Sequence, residues 1–257
     1  MKQKFLLNIF FLFVALSLSF HAFCQGGNFI KRLEIGYNFL GQKVTHIQRD
    51  TEIEKDGHSV IYDNMERSYK ASKTSGLVLG MAFQLADLGN SSGLMFPIAF
   101  NYNSLEYRFD KYEFNYAGER VTYAPIFKTS QISMQLGLDI RRGPDVSLEC
   151  SEKIMYGIGV GFEPIMVNSS FVNFDKQFFD VRSYLKAEAG VNFGVAIKLK
   201  AVWSAGRLNY MTDLETINTQ NELALKTNSS LFSKSQLTIS LCLMPLSTSW
   251  RGHKWYQ

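Results

Sequence analysis

Three histidines beyond residue 24 could serve acid–base chemistry: His46, His58 and His253. A histidine next to a hydroxyl, oriented by a carboxylate or amide, is how interfacial lipid hydrolases activate a nucleophile. His58 adjoins Ser59 and His46 adjoins Thr45, so the reagents are present. Their setting argues against use. His58 falls in a long polar stretch of mixed charge, and a nucleophile needs rigid support that such a stretch does not give; for both residues the ordinary reading is a solvated loop histidine. There is no Gly-x-Ser-x-Gly elbow, no phosphate loop and no His/Cys/Asp/Glu spacing suited to a metal. The expected catalytic, cofactor-binding and metal-ligating residues are therefore none, no cofactor is expected, and the chain reads as a non-enzyme.

The cysteines add no chemistry. Cys24 ends an opening segment in which Lys2 and Lys4 precede an apolar run from Phe5 to about Phe20, with Ala22, Phe23 and Cys24 as a small-residue exit. This is the layout of a secretory signal peptide spanning 1–24. A membrane anchor would need a longer run. An acylated cysteine at 24 would ordinarily follow a smaller residue than Phe23. Removing the segment takes away two lysines and no acids, so the formal charge of +4 falls to +2. That is too little to suggest a nucleic-acid partner. Cys150 and Cys242 then remain, expected to be unpaired.

The charged residues make sense only once the elements that hold them are identified. Eight segments alternate apolar and polar residues with the period of two that marks a β-strand with unlike faces. They begin at "RLEIGYNFL", "GLVLGMAFQL", "LMFPIAFNYN", "SQISMQLGLDIR", "KIMYGIGVGFE", "DVRSYLKAEAGVN", "AIKLKAVWSA" and "QLTISLCLMP". Short turns alternate with long connections. An even strand count and that rhythm predict an all-β fold, an eight-stranded antiparallel up-and-down transmembrane β-barrel covering 25–246, with a polar tail at 247–257. Near Asn103 and Ser104 the apolar positions change from even to odd numbers, which predicts a β-bulge there. Pro97, lacking an N–H, is expected near a strand start or beside another bulge. In the sixth segment, Ser183 and Tyr184 break the pattern.

Alternation does not say which face meets water, because a soluble barrel alternates too. The polar face decides. It carries Gly36, Gly80, Gly137, Gly157, Gly159, Gly161 and Gly190 among Glu34, Asp139, Arg141, Glu163, Arg182, Lys186, Glu188, Lys198 and Lys200. A solvent-facing strand has no use for so many strand-weakening glycines. A narrow lumen has, since small residues make room for large charged ones. Asp139, Glu163, Arg182, Lys186 and Glu188 are accordingly expected to form ion pairs inside the barrel. Phe39, Tyr102, Phe127, Phe162, Phe178, Phe179 and Tyr210 are expected to form an aromatic girdle at the outer interface. The limb carrying Tyr112, Phe114 and Tyr116, turning at "AGER", is expected to project above the membrane as a possible partner surface.

The stretches "EIGYNF", "YGIGVGFE" and "LTISLCL" resemble the small outer-membrane β-barrel proteins of Gram-negative bacteria, in particular the PorT-like family of Bacteroidota. The resemblance implies residence in the cell outer membrane, contact with membrane lipids and lipopolysaccharide, and a structural, binding or secretion-associated role through the outer loops. Any protein partner would meet those loops. An outer-membrane hydrolase resembling lipid A deacylases is the alternative, and a narrow solute channel the third. The terminal aromatic on which many barrels end is displaced here by "STSWRGHKWYQ", in which Trp250, Trp255 or Tyr256 could take its place.

Overall fold

The structure, a computed structural model, describes residues 32–55, 58–62, 65–108, 112–116, 119–123, 126–146, 152–171, 174–193, 195–211, 214–218 and 224–246. The expected leader at 1–24, Cys150, His253 and the tail at 247–257 lie outside the described residues. In chain order the strands are β1 (Glu34–Lys55), β2 (His58–Tyr62), β3 (Met65–Gly89), β4 (Ser92–Arg108), β5 (Tyr112–Tyr116), β6 (Glu119–Tyr123), β7 (Ile126–Arg142), β8 (Ile154–Phe171), β9 (Phe174–Asn192), β10 (Ala196–Met211), β11 (Leu214–Asn218) and β12 (Ala224–Met244). Eight of them, β1, β3, β4, β7, β8, β9, β10 and β12, pair each with the next, and β12 returns to β1 to close the ring. Every pairing in that ring is antiparallel. Closure removes the free edges that would otherwise leave backbone N–H and C=O groups unpaired in hydrocarbon.

The tight ends of the hairpins share one rim with the beginning of β1 and the end of β12. The clearest is Gly89–Ser92, where Asn90 and Ser91 both take positive φ, 51° and 57°. Two consecutive left-handed residues make the turn whose twist matches a β-hairpin. At the other rim the strands are long. They run from 16 residues in β10 to 25 in β3, where about 9 to 11 suffice to cross a bilayer. The polar stretch after residue 47, expected to be a loop, is therefore largely strand. β1 continues to Lys55, β2 returns beside it, and β3 begins at Met65. Above the bilayer nothing requires an outward apolar face, so the strands lose the pattern by which they were recognised below.

Outward residues of the lower wall are apolar and exposed, as Ile158, Phe162 and Leu77 are at 66%, 66% and 60%. Inward residues are charged and buried, as Asp139 and Lys198 are at 0%. A water-soluble barrel would show the reverse. The wall is therefore a lipid-facing belt.

Two sequence expectations need correction. No bulge occurs in β4 at Asn103 or Ser104. Its register against β7 runs unbroken there and its inward positions stay odd-numbered from Gly93 to Tyr107. What changes is the medium. Below, the apolar residues face outward to lipid, as Tyr102 does; above, they face inward, as Leu105 and Tyr107 do, while Ser104, Glu106 and Arg108 meet water. A bulge lies instead on the neighbouring strand at Ser72, between Ala71 and Lys73. Pro97, likewise, is neither at a strand start nor at a bulge. It faces the lumen well inside β4, and the ladder to β7 skips Phe96 and Pro97 while keeping the same register on both sides. The missing donor is absorbed by two absent pairings without a shift.

Candidate functional site

The lumen is built in layers. At the short-turn mouth the β7–β8 turn folds inward, so that Asp145 and Val146 are buried. Gly143 allows this with φ of 110°. Arg32 fixes the turn by donating from Nε to the Asp145 carbonyl at 2.6 Å and from Nη2 to the Val146 carbonyl at 2.8 Å.

Above the turn lies a charged layer. Arg141 meets Asp139 at 2.7 Å, Glu188 at 3.0 Å, Asp145 at 3.1 Å and Glu34 at 3.5 Å. Lys198 meets Asp145 at 2.6 Å, Glu34 at 3.0 Å and Glu188 at 3.3 Å. Lys186 pairs with Asp139 and, at 3.4 Å, with Glu188, and Lys200 pairs with Glu34. Four carboxylates, Glu34, Asp139, Asp145 and Glu188, thus face four cations, Arg141, Lys186, Lys198 and Lys200. That balance is what makes the burial of so many charges tolerable. Further up, Glu163 accepts from Arg182 at 3.0 Å, Ser133 at 2.8 Å and Ser204 at 2.7 Å. Asn38 holds Asn101, Asn103 and Ser240 at 2.6 to 3.1 Å.

The five residues expected to pair in the lumen therefore fall into two groups. Asp139, Lys186 and Glu188 belong to the lower cluster, while Glu163 and Arg182 form a separate pair. Asp145 was not singled out by the sequence, because a residue in a "RRGPDVS" turn carries no sign that the turn enters the barrel.

The glycines leave room for their neighbours. A Cβ on Gly137 would lie 2.5 Å from the Tyr184 hydroxyl, and one on Gly161 would lie 2.7 Å from its ring. Tyr184, an exception in the sequence pattern, therefore occupies the space that two glycines leave open; aromatic residues laid over strand glycines are a recognised way of stabilising barrels.

Over these layers the interior becomes apolar. Leu40, Val44, Tyr69, Leu105, Phe127 and Val167 form part of a buried cluster. Tyr107 and Tyr210 sit at its base: Tyr107 donates to Gln42 at 2.7 Å, Gln131 donates to Tyr210 at 3.0 Å, and Gln42 contacts Tyr210. Burial pushes the Tyr107 hydroxyl well above the ordinary tyrosine range, so it remains a donor. Here the expected girdle is corrected. Phe39, Tyr102, Phe162 and Phe179 are exposed on the outer wall, but Phe127 and Tyr210 lie inside, and Phe178 is half-buried against the apolar cluster. As in β4, the strands keep their facing, and above the bilayer it is the inward positions that carry the apolar residues.

Tyr112, Phe114 and Tyr116 alternate along β5, which among the described residues pairs with β6 alone, in a two-stranded sheet separate from the ten-stranded one. Tyr112 is opposite Tyr123, Phe114 opposite Val121 and Tyr116 opposite Glu119. His46 lies on β1 opposite Arg67 on one side and Leu231 on the other, and His58 opens β2 opposite Lys55. Among the described residues no group of three or more His, Cys, Asp and Glu side chains could hold a metal. Cys242 is a free, buried thiol facing the lumen.

No family model and no curated protein matches the chain. Among solved structures it is similar to the outer membrane protease OmpT from Escherichia coli, at 8% identity over 82% of this chain and 95% of that one, with a TM-score of 0.44. It is also similar to Ail, the attachment invasion locus protein of Yersinia pestis, at 11% identity over 80% and 98%, TM-score 0.30. A third is neisserial surface protein A, at 7% identity over 82% and 96%, TM-score 0.32. These likenesses are too distant to carry function. The architecture itself, eight antiparallel strands closed into a ring with an apolar exterior and a charged interior, is that of a Gram-negative outer-membrane β-barrel.

Proposed function

We propose that this barrel is a non-conducting outer-membrane scaffold that acts through the strands it raises above the bilayer, in a structural, binding or secretion-associated role. The observation carrying this reading is the filled interior, with an inserted turn and a charge cluster below and an apolar core above. A lumen occupied by its own side chains leaves the outer strands as the part free to meet something else. They are extensively paired, since β2 adds to β1, β11 adds to β12, and β5 and β6 form a hairpin. Kinship with the PorT-like barrels belongs to the same proposal and rests on the stretches quoted above.

Photocrosslinkers at Tyr112, Phe114 and Tyr116 in intact cells are expected to capture a defined protein partner that a crosslinker at the lipid-facing Ile158 does not. Equal, lipid-only products from both positions would remove the partner surface. The hydrolase alternative has its own test: His46→Ala is expected to leave lipid A acylation unchanged, and an altered profile would make the barrel an enzyme.

A further inference from the structure

Just above the lipid-facing belt, four adjacent strands present cations to the outside. Lys43 on β1 is the direct register partner of Lys70 on β3. Across β1 and β12, Lys234 occupies the register break between the pairs Gln42–Gln236 and Thr45–Phe232. On β10, Arg207 lies in the break between Ala205–Ser235 and Leu208–Ser233, beside Lys234. All four side chains are exposed. None makes an ion pair with the described residues; Arg207 donates to Asn209 at 2.9 Å and stacks 4.2 Å above the Phe232 ring. Among the described side chains above the belt on these strands, Glu66, further up β3, is the one carboxylate. The neighbouring wall differs: Lys73 and Arg108 approach Glu106 at 3.9 and 3.2 Å, and Lys128 is opposite the same residue. Like charges placed directly opposite on two strands repel. A row of them with no ion-pair partner among the described residues is favourable when an external anion lies against it.

The row's height identifies the anion. Lys43 and Arg207 follow the outward apolar residues Phe39 and Trp203 by four positions, and Lys234, on the descending β12, precedes Leu237 by three. Along a tilted strand this is about 10 Å above the edge of the hydrocarbon, the level of lipid headgroups. Directly below Arg207 the outer wall is indented by a groove of about 490 Å³, lined by Val160, Phe162, Ser183, Leu185, Trp203 and Ala205. Ser183 and Ala205 are small outward residues between large ones, so the dent opens toward the acyl chains. From the cation row and the groove beneath it we infer a binding site for one amphiphile, a multiply phosphorylated glycolipid of the outer leaflet, with phosphates on Lys70, Lys43, Lys234 and Arg207 and an acyl chain along the groove. This rests on the membrane-spanning reading of the belt and is independent of any role for the outer strands.

The test uses the full-length protein folded in detergent micelles and titrated with lipopolysaccharide, its dephosphorylated form, and heparin as an acyl-free polyanion. Binding is read by native mass spectrometry. The combined variant Lys43→Gln/Lys70→Gln/Lys234→Gln is expected to bind lipopolysaccharide about a hundredfold more weakly, near a factor of five for each cation. Lys73→Gln/Lys128→Gln is expected to bind as the wild type does. Ala205→Trp, which fills the groove, is expected to weaken lipopolysaccharide and leave heparin unaffected. Unchanged binding by the triple variant overturns the inference. So does equal affinity for the dephosphorylated lipid, or a groove variant without effect together with heparin bound as tightly as the glycolipid. Failure of the wild-type protein to insert into liposomes would instead strike the membrane reading itself.

Discussion

At the scale of single residues, the lumen shows how a buried charge is tolerated by its partners. Glu163 and Arg182 are nearly inaccessible and face each other at 3.0 Å. Removing one partner leaves the other charged and unpaired, which typically costs about 3–5 kcal/mol. Replacing both by apolar residues costs much less. Urea unfolding of Arg182→Met, Glu163→Leu and the double variant in micelles is expected to show each single change more destabilising than the pair. Additive losses would mean that the two residues do not act together. Gly161 tests the other half of the arrangement. A methyl there meets the Gly137 backbone and the Tyr184 ring, each at 2.7 Å, so Gly161→Ala is expected to lower stability by about 1–3 kcal/mol. The same substitution at Gly41, where the nearest atom would be 3.7 Å away, is expected to be close to neutral.

At the scale of elements, the strands are divided by the medium they cross. β4 is one unbroken strand whose lower half faces apolar residues to lipid and whose upper half turns them inward. The upper barrel thus holds itself together as a soluble protein does, by an internal apolar core. Among the described residues the β5–β6 hairpin pairs only with itself. Replacing 109–125 by a short Gly/Ser turn is consequently expected to leave the heat-modifiable migration of the folded barrel unchanged. Loss of folding would show that the hairpin supports the wall.

At the scale of the whole molecule, the barrel is closed along its length by two different kinds of material. The lower closure is ionic and includes the inserted turn with Asp145, while the upper is apolar and includes Phe127 and Val167. Planar bilayers containing the wild-type protein are expected to show no discrete conductance steps. Asp145→Ala/Val146→Gly, which loosens only the lower closure, is expected to remain silent because the apolar core still excludes ions. Steps well above leak from the wild type would revive the solute channel.

The alternation in segments such as "QLTISLCLMP" and "KIMYGIGVGFE" determined the strands, and glycines set among charges determined which face is the lumen. Both are local consequences of a period-two backbone in a narrow barrel, so they were legible without a structure. The upper strands were not, because outside the bilayer the outward face is under no demand to be apolar; the change of face at Leu105 read as a bulge, and Phe127 and Tyr210 read as a girdle. Only the closed tertiary structure showed Asp145 entering the lumen from a turn, and only cross-strand register brought Lys70, Lys43, Lys234 and Arg207, distant in the chain, into one row. Which residues meet across a barrel depends on strand stagger and ring closure, and no single strand carries that information.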